Sequence, residues 1–347
     1  MKTIQGFVLI DVDVAALNNA GKDTSTTLDN AVMTKKIRKN GKEYPYVSGQ
    51  AWRYWWRETL EKKFNWKMSP VIRESKIAYT EADPMTYPDD DMFGYMRAGK
   101  KTIVDPDTGQ EKKINATLTR VSPLKNSALI AVSYNPIVQH WSTMARQEGD
   151  AVPYGKDEYC AIMKGMFSIN IDMVGTFSSL NRTGFQNINN DMRKLYLKSG
   201  AKEIEDDFIK DKNGNPVKLV RIDDAEREKR IKETLLALKY LSGGAMQTTN
   251  LADVTPKLIV LAYFNSGNHI FSHLAKEELG SAVFSINALK EVIEEYKSDI
   301  DGKVYVGKRE GFMDELKEDF EKLKNNGEIE FGPVNEIIDK FANQLRL

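Results

Sequence analysis

Residues 34–57 have the sequence TKKIRKNGKEYPYVSGQAWRYWWR, which joins a cationic segment to one rich in arginine and tryptophan. Five basic side chains and no acidic one lie between Lys35 and Lys42, on either side of Asn40-Gly41. Asparagine and glycine tolerate positive φ angles, so this pair predicts a two-residue hairpin turn. The segment is therefore expected to be a short ribbon with concentrated positive charge.

A helix is predicted from Ser48 to about residue 63. The Ser48 hydroxyl can accept from a backbone amide of the first turn, and Gly49 leaves that turn open to a phosphate. Arg53 and Arg57 lie one turn apart, away from an apolar stripe. The stripe consists of Trp52, Trp55, Trp56, Leu60 and Phe64. Tryptophans at this spacing are more often core than base-stacking residues, so one face is expected to pack and the other to bind a nucleic-acid backbone.

The composition is that of a globular protein with a substantial core. The chain has 347 residues, of which 41% are hydrophobic and 29% charged. No apolar run approaches the roughly 20 residues needed to cross a bilayer, and neither a signal peptide nor a membrane anchor is predicted. Cys160 is the only cysteine. It is expected to be a buried thiol in a cytoplasmic protein, with no disulfide and no cysteine-based zinc site.

The net charge of zero conceals an asymmetry along the chain. Residues 277–347 contain 17 acidic and 10 basic residues, a net charge of −7, which leaves +7 for residues 1–276. The basic part is expected to face an anionic partner. The acidic part is either a solvated helical tail or a surface that contacts the basic part of another copy.

Four core strands and two core helices are predicted between stretches rich in turn residues. The strands cover residues 3–14, 128–133, 162–174 and 257–264, and the second helix covers 224–242 and ends at Gly243-Gly244. Two polar insertions interrupt them, and the second contains a hairpin centred on Asn213-Gly214. The β-α-β-β-α-β order is that of a ferredoxin-like, or RRM-like, α+β fold.

Three elements carry a resemblance to a known family: Lys35-Lys36-Ile37, the segment from Tyr46 to Arg53 (YVSGQAWR), and Gly243-Gly244. They resemble the DevR-type family, the Cas-seven backbone subunits of type I CRISPR Cascade complexes, and subtype I-B is preferred. The order of elements agrees over most of the length, while residues 277–347 match least well.

The resemblance implies a hand-shaped subunit with a palm and two insertions. The first half of the palm covers residues 1–64, the fingers 65–120, further palm strands 121–177 and the thumb 178–223. Residues 224–347 then supply a palm helix, the last strand and an acidic helical C-terminal part.

The resemblance also implies partners. Several copies assemble along one CRISPR RNA, and target DNA is read by base pairing in the RNA–DNA hybrid. Other Cascade subunits and a separate helicase-nuclease complete the system. No membrane partner and no cofactor are expected.

Matching positions imply which residues contact the RNA backbone. They are Lys35, Lys36 and Arg38 of the hairpin; Ser48, Gln50, Arg53 and Arg57 of the helix; Arg120, Ser122, Lys125 and Asn126 before a core strand; Arg182 at the thumb base; and Gln247 after the double glycine. Ordinary surface residues remain the alternative for the group from Arg120 to Asn126, and a simple helix stop remains the alternative for the double glycine.

The segment 164–169, KGMFSI, resembles the opening of an RNP1 signature but departs from it. Met166 and Ser168 occupy the positions of the base-stacking aromatic residues. RNA recognition is therefore expected to be sequence-tolerant and steeply salt-dependent, through phosphate contacts.

No pattern of catalytic residues is complete. His269 and His273 have helical spacing but no accompanying carboxylate or cysteine, and Asp89-Asp90-Asp91 is interpreted as a solvated loop rather than a Mg²⁺ site. A non-catalytic protein without a metal is expected. Two alternatives remain: a ribonuclease of the repeat-associated RAMP superfamily, with His140 or an aspartate active, and a protein that oligomerises without nucleic acid.

Overall fold

Strands dominate the first 120 residues. The computed structural model describes residues 1–22, 31–74, 77–105, 108–115, 117–146, 148–182 and 184–347. The first elements are β1 (Thr3–Ala15), β2 (Asn19–Lys22), β3 (Ala31–Thr34), β4 (Lys36–Lys39), β5 (Lys42–Val47) and helix α1 (Gly49–Phe64). They are followed by β6 (Val71–Glu74), β7 (Ile77–Thr80), α2 (Pro88–Phe93), β8 (Tyr95–Arg97), β9 (Lys100–Val104), β10 (Glu111–Asn115) and β11 (Leu118–Arg120).

Helices become more frequent towards the C-terminus. The middle of the chain forms β12 (Leu124–Asn126), β13 (Leu129–Ala131), β14 (Val138–Met144), β15 (Val152–Asn170), β16 (Thr176–Ser178), α3 (Asn190–Lys198), β17 (Lys202–Lys210) and β18 (Pro216–Arg221). The remainder forms α4 (Asp224–Leu236), α5 (Gln247–Asn250), β19 (Leu258–Phe264), β20 (Ala275–Glu278), β21 (Ser281–Phe284), α6 (Ile286–Glu295), β22 (Ile300–Lys308), α7 (Lys317–Asn325), β23 (Ile329–Gly332) and α8 (Val334–Asn343). Short 3₁₀ helices, Ala237–Tyr240 and Asp314–Leu316, extend α4 and precede α7.

One large mixed sheet organises the molecule. Within the described ranges it has twelve strands, and its main path runs β23-β22-β19-β1-β15-β13-β5-β4. The neighbours in β19-β1-β15-β13 are antiparallel, whereas β23 runs parallel to β22. The predicted α+β class is confirmed. The four predicted core strands lie side by side, in the order fourth, first, third and second along the chain.

Both faces of the sheet are buried. Successive side chains of a strand point to opposite faces, so Ile4 and Val8 of β1 join one core while Phe7 and Leu9 join another. Helices α1, α4 and α8 cover the first face, and α6 and α7 contribute to the cover of the second. Met166 packs against the second core. Met166 is therefore partly covered on this face of the sheet.

Helix α1 forms where the sequence predicts it. The Ser48 hydroxyl accepts from the Ala51 amide at 3.3 Å, and Asn65 ends the helix in the left-handed conformation with φ 55°. The predicted stripe packs inwards, since Trp52 and Trp56 are almost fully buried. Their rings stack at a centroid distance of 5.7 Å. These tryptophans are core residues, as expected.

The two insertions share a small hydrophobic core. It contains Tyr95 and Leu118 from the first insertion and Met192, Tyr196 and Val220 from the second. The hairpin predicted around Asn213-Gly214 is confirmed by the antiparallel pairing of β17 with β18. The two insertions were predicted as separate segments, because contacts between residues this far apart in the chain have no local signal in the sequence.

Several local predictions are wrong. The strand predicted at residues 162–174 begins ten residues earlier, at Val152. Residues 277–347 are not only helical, because β22 and β23 extend the main sheet. The run Asp89-Asp90-Asp91 lies in α2 and is buried, not solvated. Cys160 is exposed.

No helix in the described ranges is long and apolar enough to cross a bilayer. Across the same residues, no three His, Cys, Asp or Glu side chains are grouped as a metal site would need. His269 does not lie on a helix, and its Nε2 is 3.2 Å from the Gly6 carbonyl oxygen and 3.1 Å from that of Phe167.

Candidate nucleic-acid interface

Three predicted parts of the interface meet at Leu17 and Asn18, which connect β1 to β2. The Asn18 carbonyl accepts from the Lys35 amide at 2.7 Å, and its side-chain Oδ1 accepts from the Ser48 amide at 3.0 Å. The Leu17 carbonyl accepts from the Ala245 amide at 3.0 Å. The base of the basic hairpin, the start of α1 and the double-glycine loop are therefore fixed to one another. We call this point the Asn18 junction.

The double glycine is required by this packing. Gly243 and Gly244 have φ angles of +154° and +105°. A Cβ atom on Gly243 would lie 2.3 Å from the Trp55 ring, and one on Gly244 would lie 2.7 Å from Leu17. The pair is thus more than a helix stop, because it allows the loop to approach α1 and the Asn18 junction closely.

The β4–β5 hairpin carries its charges on two faces. Asn40 and Gly41 form the predicted turn, with φ angles of +48° and +77°. Lys36 and Arg38 lie on one face and share the Glu43 carboxylate, at 2.8 Å and 3.2 Å. The hydrogen bond from Lys36 is the main cause of the lowered pKa of Glu43. This face therefore carries a net charge of about +1, less than a count of its basic residues indicates.

The start of α1 is partly covered by the segment before β13. A Cβ atom on Gly49 would lie 3.3 Å from the Asn126 Nδ2 and from the Ser127 carbonyl oxygen, so Gly49 does not leave the first turn open as predicted. The Asn126 amide donates to the Gly49 carbonyl at 3.1 Å. Gln50 and Lys125 remain exposed beside this contact. They are the side chains here that are placed to reach a phosphate.

The Arg53 side chain links α1 to the end of α2 and to the segment around β12. Its Nη1 donates to the Leu124 carbonyl at 2.7 Å and to Asn126 Oδ1 at 3.0 Å. Its Nη2 donates to the Phe93 carbonyl at 2.6 Å and to the Ser122 hydroxyl at 2.9 Å. Burial, with a smaller contribution from Arg57, lowers the pKa of Arg53 to about 10. The predicted phosphate contact of Arg53 does not fit this geometry, because protein oxygens already occupy both terminal nitrogens.

Ser122 and Asn126 are used in the same network. Besides accepting from Arg53, the Ser122 hydroxyl donates to the Met92 carbonyl at 2.8 Å. The Asn126 side chain bridges Arg53 and the backbone of Gly49. Both side chains therefore position α1 against β12. The prediction instead required them to present free donors to RNA.

Arg57 lies one turn further along α1 and is half-buried. Its guanidinium carbon is 4.4 Å from the centroid of the Phe93 ring, whose other neighbour is Arg53 at 5.1 Å. Burial is the main cause of its lowered pKa, opposed by Asp89 and Asp90. The nearby aspartates make this position less suited to an anion than the hairpin is.

Arg120 is not a surface residue, and the prediction that places it in an RNA-binding loop is wrong. Its side chain is fully buried and pairs with Asp91. It also donates to the carbonyls of Thr176 at 2.9 Å and Met173 at 2.8 Å. Asp91 additionally accepts from Arg230 at 2.7 Å. Arg120 therefore belongs to a buried ionic cluster that ties α2 to β11, β16 and α4.

The last two candidates have different environments. Arg182 is exposed, with its guanidinium carbon 4.7 Å from the centroid of the Phe185 ring. Gln247 is partly buried, and its amide nitrogen donates to the carbonyls of Gly243 and Ala252. Gln247 thus braces the loop at the Asn18 junction, whereas Arg182 remains accessible to a ligand.

Comparison with protein families identifies a match over most of the chain. The family described as "CRISPR-associated negative auto-regulator DevR/Csa2" matches residues 7–279, which include every predicted RNA-binding residue. The chain belongs to the DevR/Csa2 family. The resemblance inferred from the sequence is confirmed. None of the curated proteins compared with the chain matches it.

Two solved structures resemble this DevR/Csa2 family member over nearly its whole length. A chain of a "CRISPR RNA-guided surveillance complex" is 12% identical with a TM-score of 0.54, and the match covers 98% of both chains. A chain of a "CRISPR RNA-guided surveillance complex, pre-nicking" is 11% identical with a TM-score of 0.55, covering 98% of this chain and 99% of that one. At such identities the similarity shows a shared fold.

Sequence reasoning missed the residues that position the interface in this DevR/Csa2 family member. Asn18 connects hairpin and helix, although it lies far from both in sequence and in an unremarkable segment. Asp91 was interpreted as solvated, and Arg230 was not singled out. Asp91 contacts Gly175 and Arg230, which both lie more than 80 residues away from it along the chain. No local sequence pattern therefore predicts the roles of Asp91 and Arg230.

Proposed function

We propose that this DevR/Csa2 family member binds CRISPR RNA as a backbone subunit of a type I Cascade surveillance complex, with subtype I-B preferred. The observation that carries the proposal is the Asn18 junction. It fixes an exposed basic hairpin beside the helix start and the double-glycine loop, and these are the segments that resemble the family. The similarity of the fold to chains of RNA-guided surveillance complexes supports it.

The proposal includes a ferredoxin-like, RRM-like palm with fingers at 65–120 and a thumb at 178–223, in a hand-shaped subunit. The order β19-β1-β15-β13 and the packing of α1 and α4 on one face support such a palm. The opposite face is partly covered and carries Met166 and Ser168 in place of stacking aromatic residues. Both features support sequence-tolerant recognition through the phosphates.

Exposed residues carry the RNA contacts in this proposal. They are Lys36, Arg38, Gln50, Lys125 and Arg182, together with the half-buried Lys35 at the base of the hairpin and Ser48 at the helix start. Arg53, Ser122, Asn126 and Gln247 act as positioning residues beneath them. Further copies of the chain bind along the same RNA, and target DNA pairs with that RNA. Other Cascade subunits and a helicase-nuclease act in the cytoplasm on the assembled complex.

The proposed subunit does not cleave nucleic acid. The bonds from His269 to backbone carbonyls and the pairing of Asp91 with Arg120 support this, because both side chains already have structural partners. Replacing His140, His269 and His273 together leaves RNA assembly unchanged under the backbone proposal. The same variant loses RNA cleavage if the alternative, a RAMP-superfamily ribonuclease, is correct.

The test measures bound RNA and particle mass together. The chain is co-expressed with a CRISPR array, purified, and analysed by light scattering and by extraction of bound RNA. A triple variant, Lys36→Glu/Arg38→Glu/Lys125→Glu, is compared with wild type. Because these side chains are exposed, their reversal is expected to remove the RNA and shorten the assembly without unfolding the protein.

A matched control reverses exposed charge elsewhere. Lys297→Glu/Lys322→Glu/Lys324→Glu changes the charge equally in the acidic C-terminal part and is expected to retain RNA. A wild-type particle without RNA, whose mass is indifferent to ribonuclease, would refute the proposal and support a protein that oligomerises alone.

A further inference from the structure

The second face of the β4–β5 hairpin differs from the face that carries Lys36 and Arg38. Lys39 and Lys42 lie directly opposite each other across the Asn40-Gly41 turn, and both are exposed. Among the described residues, no carboxylate forms an ion pair with either of them. Like charges directly opposite in a hairpin repel each other. This face therefore presents two unneutralised ammonium groups that an anion between them would stabilise.

Two tyrosine rings hold these lysines in place. The Lys39 Nζ lies 5.2 Å from the centroid of the Tyr44 ring, and the Lys42 Nζ lies 4.9 Å from that of Tyr134. The rings pack edge to face at 6.0 Å. A cation over an aromatic face is attracted to it without losing its charge, so the rings restrict the ammonium groups while leaving them able to bind a ligand.

A carboxylate from a distant hairpin anchors the two tyrosines. Glu277 of β20 accepts from the Tyr44 hydroxyl at 2.9 Å and from the Tyr134 amide at 3.2 Å. Tyr44 itself is buried. The platform beneath the lysines is thus part of the folded body, and it does not depend on a ligand to form.

A third cation lies beside this platform. The Lys164 Nζ donates to the carbonyls of Ser272 at 3.1 Å and Ala275 at 3.3 Å. Its pKa is lowered chiefly by burial and further by Lys39, which places the two ammonium groups within electrostatic reach. Lys164 therefore adds a positive charge beside Lys39, opposite in sign to the Glu277 carboxylate at the tyrosine rings.

We propose that Lys39 and Lys42 form a second phosphate-binding site, which takes neighbouring phosphodiester groups of a single-stranded nucleic acid. Tyr44 and Tyr134 are its positioning residues. The site is separate from the Lys36 and Arg38 face, where Glu43 neutralises part of the charge. The inference rests on the proposed RNA-binding function and adds these lysines to the RNA-binding surface.

The salt dependence of RNA binding tests the site. Anisotropy of a labelled single-stranded CRISPR RNA is measured with the full chain between about 50 and 200 mM salt. Each phosphate contact with a single strand contributes about 0.7 to the slope of log K against log salt. The variant Lys39→Gln/Lys42→Gln is expected to lower the slope by about 1.4, which corresponds to about 25-fold weaker binding at 0.1 M salt relative to a 1 M reference.

Three comparisons make the test specific. Lys322→Gln/Lys324→Gln removes two charges from α7 and is expected to leave the slope unchanged. Tyr134→Leu is expected to weaken binding, whereas Tyr134→Phe, which keeps the ring, is expected to retain it. With single-stranded DNA of the same sequence, Lys39→Gln/Lys42→Gln is expected to lower the salt slope by the same amount as with RNA, because the phosphodiester is the group recognised.

The outcomes separate this inference from the function on which it rests. If wild type binds RNA and Lys39→Gln/Lys42→Gln has the wild-type slope, the second site is refuted and the proposed function stands. Loss of oligomerisation with an unchanged slope would also refute it, by assigning the lysines to a protein contact. Failure of wild type to bind any single-stranded nucleic acid would refute both proposals.

Discussion

Replacing Asp91 with asparagine should destabilise the protein more than any comparable surface change. Asp91 is fully buried in α2, and its two oxygens serve Arg120, Arg230 and the Gly175 amide. Asparagine has nearly the same shape but only one side-chain acceptor, and its amide would face donors. Asp91→Asn therefore leaves the buried Arg120 without its carboxylate partner, while Arg230 keeps only its pair with the more exposed Glu226.

The expected magnitude follows from this burial. Removing one partner of a buried ion pair costs about 3–5 kcal/mol, because the remaining charge is neither solvated nor paired. With an entropy of unfolding of about 2.1 cal/mol/K per residue, a chain of this length has about 0.7 kcal/mol/K. The loss corresponds to a fall in melting temperature of about 4–7 °C.

Thermal and urea unfolding, followed by tryptophan fluorescence, provide the measurement. The control is Asp319→Asn, which breaks an exposed pair with Lys322 and is expected to cost less than about 1 kcal/mol. The double variant Asp91→Asn/Arg120→Met is expected to lose less stability than the sum of its single variants, since each removes the same interaction. Additive losses, or an Asp91→Asn effect as small as the control, would refute the reasoning.

Three further outcomes are expected. Glu43→Gln frees the basic side chains it pairs with, so RNA affinity and its salt slope in anisotropy titrations should rise; an unchanged slope would contradict this. Burial raises the pKa of Asp89 to about 6 in the folded protein, compared with 3.8 in the unfolded chain. Between these two pH values the folded protein holds a proton that the unfolded chain releases, so the stability of the fold falls as pH rises. Asp89→Asn should remove that pH dependence from urea midpoints and raise stability above pH 6, whereas a persisting slope would assign it to other groups. Gly243→Ala should lower the melting temperature and shift tryptophan emission, because its Cβ would clash with Trp55; Gly21→Ala, which has a positive φ but open space, should have a smaller effect.

Much of the fold could be predicted because its signals are local. Alternating apolar residues located β1, an almost continuous apolar run located β19, and helical spacing with a serine cap located α1. The full extent of the sheet could not be predicted. Pairing of β22 with β19 joins segments about 40 residues apart, and a strand buried on both faces has no alternation to distinguish it from other apolar runs.

The candidate site shows the same division. The exposed hairpin residues Lys36 and Arg38 were identified correctly as surface cations, because a charged ribbon around a tight turn has no room to bury them. Arg53 and Arg120 were assigned to the RNA from the family resemblance and their place in the sequence. Their partners are backbone carbonyls and carboxylates from remote segments, which a list of basic residues does not reveal.

The sequence by itself determined the basic hairpin, the capped helix that follows and the family to which both belong. Each depends on the conformational preference of a few adjacent residues, such as the positive φ of Asn40-Gly41 or the capping hydroxyl of Ser48. Only the tertiary structure decided which cations face solvent. Whether an arginine binds a ligand or the protein depends on the oxygens within its reach, and those are brought together by folding.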